Sequence, residues 1–167
     1  MQNAKDSFYA ELRDRVAALN PERTVVVRGV TRPAVVVEEN EAPQEAELLD
    51  CFRLQWTDAQ WDSEAPAAVV TMTCAIAYAT RGTAENGGLD AGRVLAALDA
   101  ELASAVNAAP QWTEKKAFRP LGGGGAVAMQ SRVWWSAVTL GTSAAKNGRV
   151  ERTATVTVWA LEEAGER

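Results

Sequence analysis

Polar and apolar residues alternate along two stretches late in the chain, 132–140 and 152–161. A period of two places alternate side chains on opposite faces of a strand, so both stretches predict β-strands. Between them lies Lys146-Asn147-Gly148-Arg149. Asn-Gly readily takes the positive φ that both central positions of a type I′ turn require, so the pair predicts a β-hairpin. In its second strand Ala154, Val156, Val158 and Ala160 share one face, and Thr153, Thr155, Thr157 and Trp159 share the other. The longest alternating stretch is 67–80. Val70, Met72, Cys74, Ile76 and Tyr78 form one row, and Val69, Thr71, Thr73, Ala75 and Ala77 form a smaller, more polar one. A core on the first face, with a helix or a neighbouring subunit on the second, accounts for that asymmetry. Residues 51–57 alternate as well, with Phe52, Leu54 and Trp56 on one side and Arg53 and Gln55 on the other.

Elsewhere the period changes. Phe8, Leu12, Val16 and Leu19 recur at helical spacing, with Asp6 or Ser7 as the expected cap and Asn20-Pro21 as the stop. Leu95, Leu98, Leu102 and Val106, with Val94, form a second helical stripe in alanine-rich sequence, capped by Asp90 and running to about Asn107. The β-branched runs 24–30 and 34–39 predict two strands joined through Thr31-Arg32-Pro33, with Pro33 at the turn or on an edge. Two stretches carry no period and are expected to be flexible loops: the acidic 38–50, and 108–126 with Pro110, Pro120 and Gly122 to Gly125. The sum is one α+β domain over residues 1–167: a mostly antiparallel sheet, two main helices packed against it and a terminal β-hairpin.

Composition narrows the chemistry. The net charge of −5 argues against a general nucleic-acid binder. With no histidine in the chain, Ser-His-Asp and Cys-His arrangements cannot be built from it, and the commonest zinc ligand is missing. Cys51 and Cys74 sit in separate strand-like segments rather than a Cys-x-x-Cys pair. They read as two buried thiols, with a cross-strand disulfide as the alternative. No apolar run approaches the ~18 residues of a membrane span. Residues 1–20 are charged and amphipathic, without the apolar core of a signal peptide, so a cytoplasmic location is expected.

Candidate chemistry is sparse. Gly122 to Gly125 are followed by Ala126-Val127 rather than the Lys-Ser/Thr of a phosphate loop, so they read as a connector. Lys115, Lys116, Arg119 and Arg132 lie near Trp112 and Phe118, a mixture that can bind single-stranded nucleic acid but reads here as a solvated loop. Carboxylates are plentiful, yet no spacing singles out an acid–base pair, and Glu38-Glu39 and Glu162-Glu163 read as exposed strand ends. The chain is therefore expected not to be an enzyme and to need no cofactor. Glu41, Glu45 and Glu47 belong to the acidic stretch, which is either a solvated loop or a docking surface for a basic partner. Trp134 and Trp135 must point to opposite faces of one strand. The outward one, and Trp159 on the threonine face, are either covered by helices or mark a subunit interface.

The order of elements resembles the small α+β domain of tailed-bacteriophage tail terminator and minor tail proteins, here as a prophage-encoded homologue. The residues that carry the resemblance are Phe8-Tyr9-Ala10-Glu11-Leu12-Arg13-Asp14-Arg15-Val16, Val69–Thr80, 90–106, and 132–139 with 152–159. It implies a structural role without catalytic residues: a ring-forming homo-oligomer that docks to other tail or head–tail proteins, through loops and sheet edges, and ends in the virion tail. A small ligand- or protein-binding module and a carboxylate-dependent enzyme are the alternatives. The acidic charge would keep such a protein soluble before assembly.

Overall fold

The computed structural model describes residues 1–38, 48–62, 68–118, 125–163 and 166. Among these residues two helices, α1 (Gln2–Leu19) and α2 (Ala91–Asn107), accompany ten strands. The strands are β1 (Thr24–Val27), β2 (Val30–Pro33), β3 (Val35–Val37), β4 (Phe52–Asp62), β5 (Val69–Thr80), β6 (Trp112–Ala117), β7 (Val127–Trp135), β8 (Thr139–Leu140), β9 (Ala144–Lys146) and β10 (Arg149–Leu161). The main sheet runs β3-β4-β5-β10-β7-β6, with β8 and β9 also paired to β10. The expected mostly antiparallel sheet is a mixed one: β3 lies parallel to β4, and the other pairs of the sheet among the described residues are antiparallel.

The predicted terminal hairpin is present. Asn147 (φ 53°) and Gly148 (φ 70°) form its turn, and β10 spans the sheet's length against β5 on one side. On its other side the partner strand is broken into β9, β8 and β7. The first hairpin is shifted from its expected place. Its turn is Arg28-Gly29, both at positive φ, so β1 and β2 form a separate two-stranded ribbon and Pro33 ends β2. Five β-branched residues in seven had hidden a turn that one glycine made possible.

Both helices pack on one face of the main sheet. Phe8, Leu12 and Val16 of α1 and Leu95, Leu98, Leu102 and Val106 of α2 are buried against the Val70–Tyr78 row, the Ala154–Ala160 row, Val133 and Trp135. A smaller cluster of Val27, Ala34, Val36 and Cys51 roots the β1–β2 ribbon. Both cysteines are buried and form no disulfide. Helix α1 begins at Gln2, earlier than Asp6 or Ser7 suggested. Ser7 is buried inside it, donating to the Asn3 carbonyl at 2.6 Å and accepting the Lys116 N–H at 2.9 Å.

Side chains tie the helices together. Arg15 of α1 donates to the Ala105 carbonyl (3.3 Å) in the last turn of α2, where backbone acceptors lack intrahelical partners, and to the carbonyls of Ala108 (2.8 Å) and Pro110 (2.6 Å) just beyond it. Arg23 and Asn20 both reach Glu101, at 2.7 and 3.1 Å. No helix among the described residues is long and apolar enough to cross a membrane.

Asp90 occupies the N-cap position of α2, but its carboxylate serves the preceding loop. It accepts from the Thr83 N–H (2.8 Å), the Thr83 hydroxyl (2.7 Å) and the Asn86 amide (3.0 Å). Those donors hold its pKa down at about 2. Gly82 makes this arrangement possible: its φ is 76°, and an added Cβ would lie 2.5 Å from Asp90 Oδ1 and 2.9 Å from the Ala91 nitrogen. Gly82→Ala is expected to destabilise the protein by about 1–3 kcal/mol, from left-handed backbone strain and loss of the Asp90 bonds. Urea unfolding of the variant measures this; an unchanged midpoint would contradict it.

Candidate interaction surface

The sheet's second face is covered by neither helix. Both lie on the first, so of the two expected covers for the Thr71–Ala77 row, a helix or a neighbouring subunit, the helix is excluded. Its central residues are small: Thr71, Thr73, Ala75 and Ala77 of β5 lie opposite Trp159, Thr157, Thr155 and Thr153 of β10. On β4, a register shift between Trp56 and Asp58 changes which side chains face outward. Before it, Arg53 and Gln55 lie on the open face; after it, Asp58 and Gln60 do.

Strand register places three tryptophans side by side on this face. Trp112 of β6 pairs with Trp134 of β7, which pairs with Trp159 of β10, and the row continues through Thr71 to Gln60. All three indoles are half-buried. The Arg132 guanidinium lies 3.8 Å from the centre of the Trp112 ring, a cation–π contact that holds one end of the row in place. Trp135 points the other way, is buried, and donates its indole N–H to the Val106 carbonyl at 2.9 Å. Of the residues singled out from sequence, Trp134 and Trp159 are thus brought into direct cross-strand register. Glu41, Glu45 and Glu47 lie outside the described residues, as do Arg119 and Gly122 to Gly124.

Trp112 joins the row because 112–117 is a strand, where a loop was expected across 108–126. The alternation of Trp112 and Glu114 against Thr113 and Lys115 was the signal. A lysine at an inward position masked it. Lys115 is only 1% exposed, so it does not belong to a solvated basic cluster. Its ammonium donates to the Leu161 carbonyl (2.6 Å) and to the Glu166 carboxylate, itself 2% exposed. The acidic end is likewise not a free strand end: Glu163 is half-buried and accepts the backbone N–H groups of Ser131 (2.8 Å) and Gln130 (3.2 Å).

The sheet edge at β6 is guarded. Ser7, Glu11 and Asn3 of α1 reach Lys116 N–H, the Thr113 hydroxyl (3.1 Å) and Phe118 N–H (3.3 Å) respectively. Such covering prevents strand addition there.

Two polar features lie apart from the tryptophans. An open cleft of about 510 Å³ is lined by Arg53, Arg149, Glu151, Thr142 and Thr153, with Arg149 paired to Glu151 at 2.7 Å. On the helix side, the buried Tyr78 hydroxyl donates to Asp99 at 2.5 Å, and Arg152 lies 3.4 Å from the same carboxylate. Burial, then the Asp99 hydrogen bond and charge, push the Tyr78 pKa up, so the phenol stays protonated and acts as a donor that docks α2 onto β5. Among the described residues, no group of three His, Cys, Asp or Glu side chains is placed to hold a metal ion. Comparison with protein-family models and with curated proteins finds no match.

Proposed function

We propose that this chain is a non-enzymatic structural component of a phage or prophage tail, of the tail-terminator or minor-tail type, which acts by self-association and by docking to tail or head–tail proteins. The observation that carries the contact role is the Trp112–Trp134–Trp159 row on a sheet face that neither helix covers. Each indole can bury roughly 150–250 Å² of surface, and aromatic anchors of this kind dominate the energetics of protein interfaces. The small Thr and Ala side chains beside them make a surface on which another molecule can approach closely. The order of elements, helix then strands then helix then terminal hairpin, supports the tail assignment through its resemblance to that family.

The test is mass by light scattering across a concentration series. The wild-type chain is expected to form an oligomer. A Trp134→Ser, Trp159→Ser variant is expected to keep its circular dichroism and to associate roughly 30-fold more weakly, as loss of an anchor worth about 2 kcal/mol implies. A wild-type monomer at every concentration would contradict the self-association, and unchanged mass in the variant would contradict the role of this face.

A further inference from the structure

We infer that neighbouring copies are joined by strand addition: the β1–β2 ribbon of one copy pairs with the outer edge of residues 55–62 of β4 in the next. The inference rests on the self-association proposed above and adds to the tryptophan face a second contact made by different surfaces.

The first surface is the ribbon. β1 and β2 pair with each other and with no other strand among the described residues. A two-stranded ribbon has little stability alone and gains from a third strand. Its inner side is rooted through Val25 and Val27. Val26, on the opposite face, and Val30, beside the turn, are each 62% exposed. The segment Thr24 to Pro33 holds Arg28 and Arg32 and no acid.

The second surface is on β4. β3 covers that strand's outer edge only from Phe52 to Leu54, with one further bond from Glu38 N–H to the Leu54 carbonyl. Among the described residues no strand pairs with the outer edge of 55–62. The stretch is long enough for the four-residue strands of the ribbon. It holds Asp58 and Asp62 and no base, and Trp61 is 54% exposed.

Charge chooses the occupant. The ribbon brings the exposed Arg28 and β-branched residues to an edge that carries the exposed Asp58 and the exposed indole of Trp61. Residues 39–47 of the same chain hold four glutamates and Pro43, so they would bring like charge and a residue without an N–H to the same edge. A second copy's β6 is excluded from pairing by the α1 side chains that cover it. Ribbon and edge are different surfaces, so the contact is heterologous and repeats from copy to copy, closing a ring or extending a filament.

Charge exchange on the full-length chain tests this. Arg28→Glu and Asp58→Arg are each expected to weaken association about tenfold or more, since each sets like charges together where opposite ones met. An equal mixture of the two variants is expected to recover the wild-type mass, because each altered ribbon then meets the altered edge and each native ribbon a native edge. Both substituted positions are exposed, and circular dichroism checks that they fold. Hydrogen exchange of wild-type protein adds a measurement that needs no variant: the 55–62 amides should become protected as concentration rises. Wild-type oligomers that survive both substitutions, or 55–62 amides that exchange equally in monomer and oligomer, would overturn strand addition while leaving self-association standing. A wild-type monomer would instead remove the premise.

Discussion

Replacing Glu166 by glutamine is expected to lower the unfolding free energy by about 3–5 kcal/mol, because it leaves the Lys115 ammonium in the interior without a counter-charge. Lys115 and Glu166 are both almost fully buried. The ammonium keeps the Leu161 carbonyl, but a neutral amide cannot replace the carboxylate that accepts from it, from the Glu163 N–H (2.8 Å) and from the Asn3 amide (3.4 Å). β6 is held between β7 and α1, so the lysine cannot swing out to water. The double variant Lys115→Met, Glu166→Leu should recover most of the loss, since an apolar pair of similar volume avoids desolvating two charges. Urea unfolding of the three proteins decides it. A single variant as stable as wild type would show that the pair is not buried in solution.

The same pair sets a pH dependence. Burial alone would raise the Glu166 carboxyl, but the Lys115 ammonium and the Glu163 N–H outweigh it and hold the group below the ordinary value of 4.5. Glu163 is also lowered: burial opposes the Ser131 hydroxyl and the Ser131 and Gln130 N–H groups, and loses to them. Carboxyls depressed in the folded state contribute stability that is complete above the unfolded value and is lost as pH falls through the folded one. Wild-type stability should therefore decline below about pH 4.5, and the Glu166→Gln variant should decline less over that range.

Phe8→Ala is expected to cost about 3–5 kcal/mol, equivalent to roughly 6–20 °C in Tm for a chain of this length. Phe8 is 1% exposed and sits where α1 meets both halves of the sheet. Its ring makes edge-on contacts with Trp56 of β4 at 5.9 Å and Trp135 of β7 at 5.4 Å. Truncation leaves a cavity between two rigid indoles that cannot close over it, which puts the cost high in the range for buried aromatics. Phe8→Leu should recover part of the loss. Calorimetry measures both, and a shift of a degree or less for alanine would contradict this packing.

Much of the fold was legible in sequence because the long elements obey one period. The rows Val70–Tyr78 and Ala154–Ala160 face the core as alternation required, and Asn147-Gly148 turns where its dipeptide chemistry said it would. Short elements were less legible. The position of the β1–β2 turn depended on one glycine, Gly29, within a run of valines. Strand β6 was masked because its inward residue is a lysine neutralised by Glu166, 51 residues later in the chain, a partner that no local pattern reveals. The parallel pairing of β3 was hidden for the same reason: its partner, from Phe52 to Leu54, lies well along the chain, where no local pattern links the two.

The candidate surface was half legible. Alternation put Trp159 on the threonine face and required one of Trp134 and Trp135 to point outward; that Trp135 is the buried one, and Trp134 the outward one, needed the structure. That Trp134 and Trp159 are opposite one another, and that Trp112 extends the row, follows only from the register of β10, β7 and β6. The complementarity of the β1–β2 ribbon and the β4 edge needed the structure too, since it depends on β3 stopping at Val37 while β4 runs on to Asp62.

Electron microscopy of the purified wild-type chain by negative stain tests the self-association most directly. Copies joined ribbon to edge should give particles of repeated units, as closed rings of one copy number or as filaments. A field of single 17.9 kDa chains at concentrations where light scattering is also monomeric would contradict it.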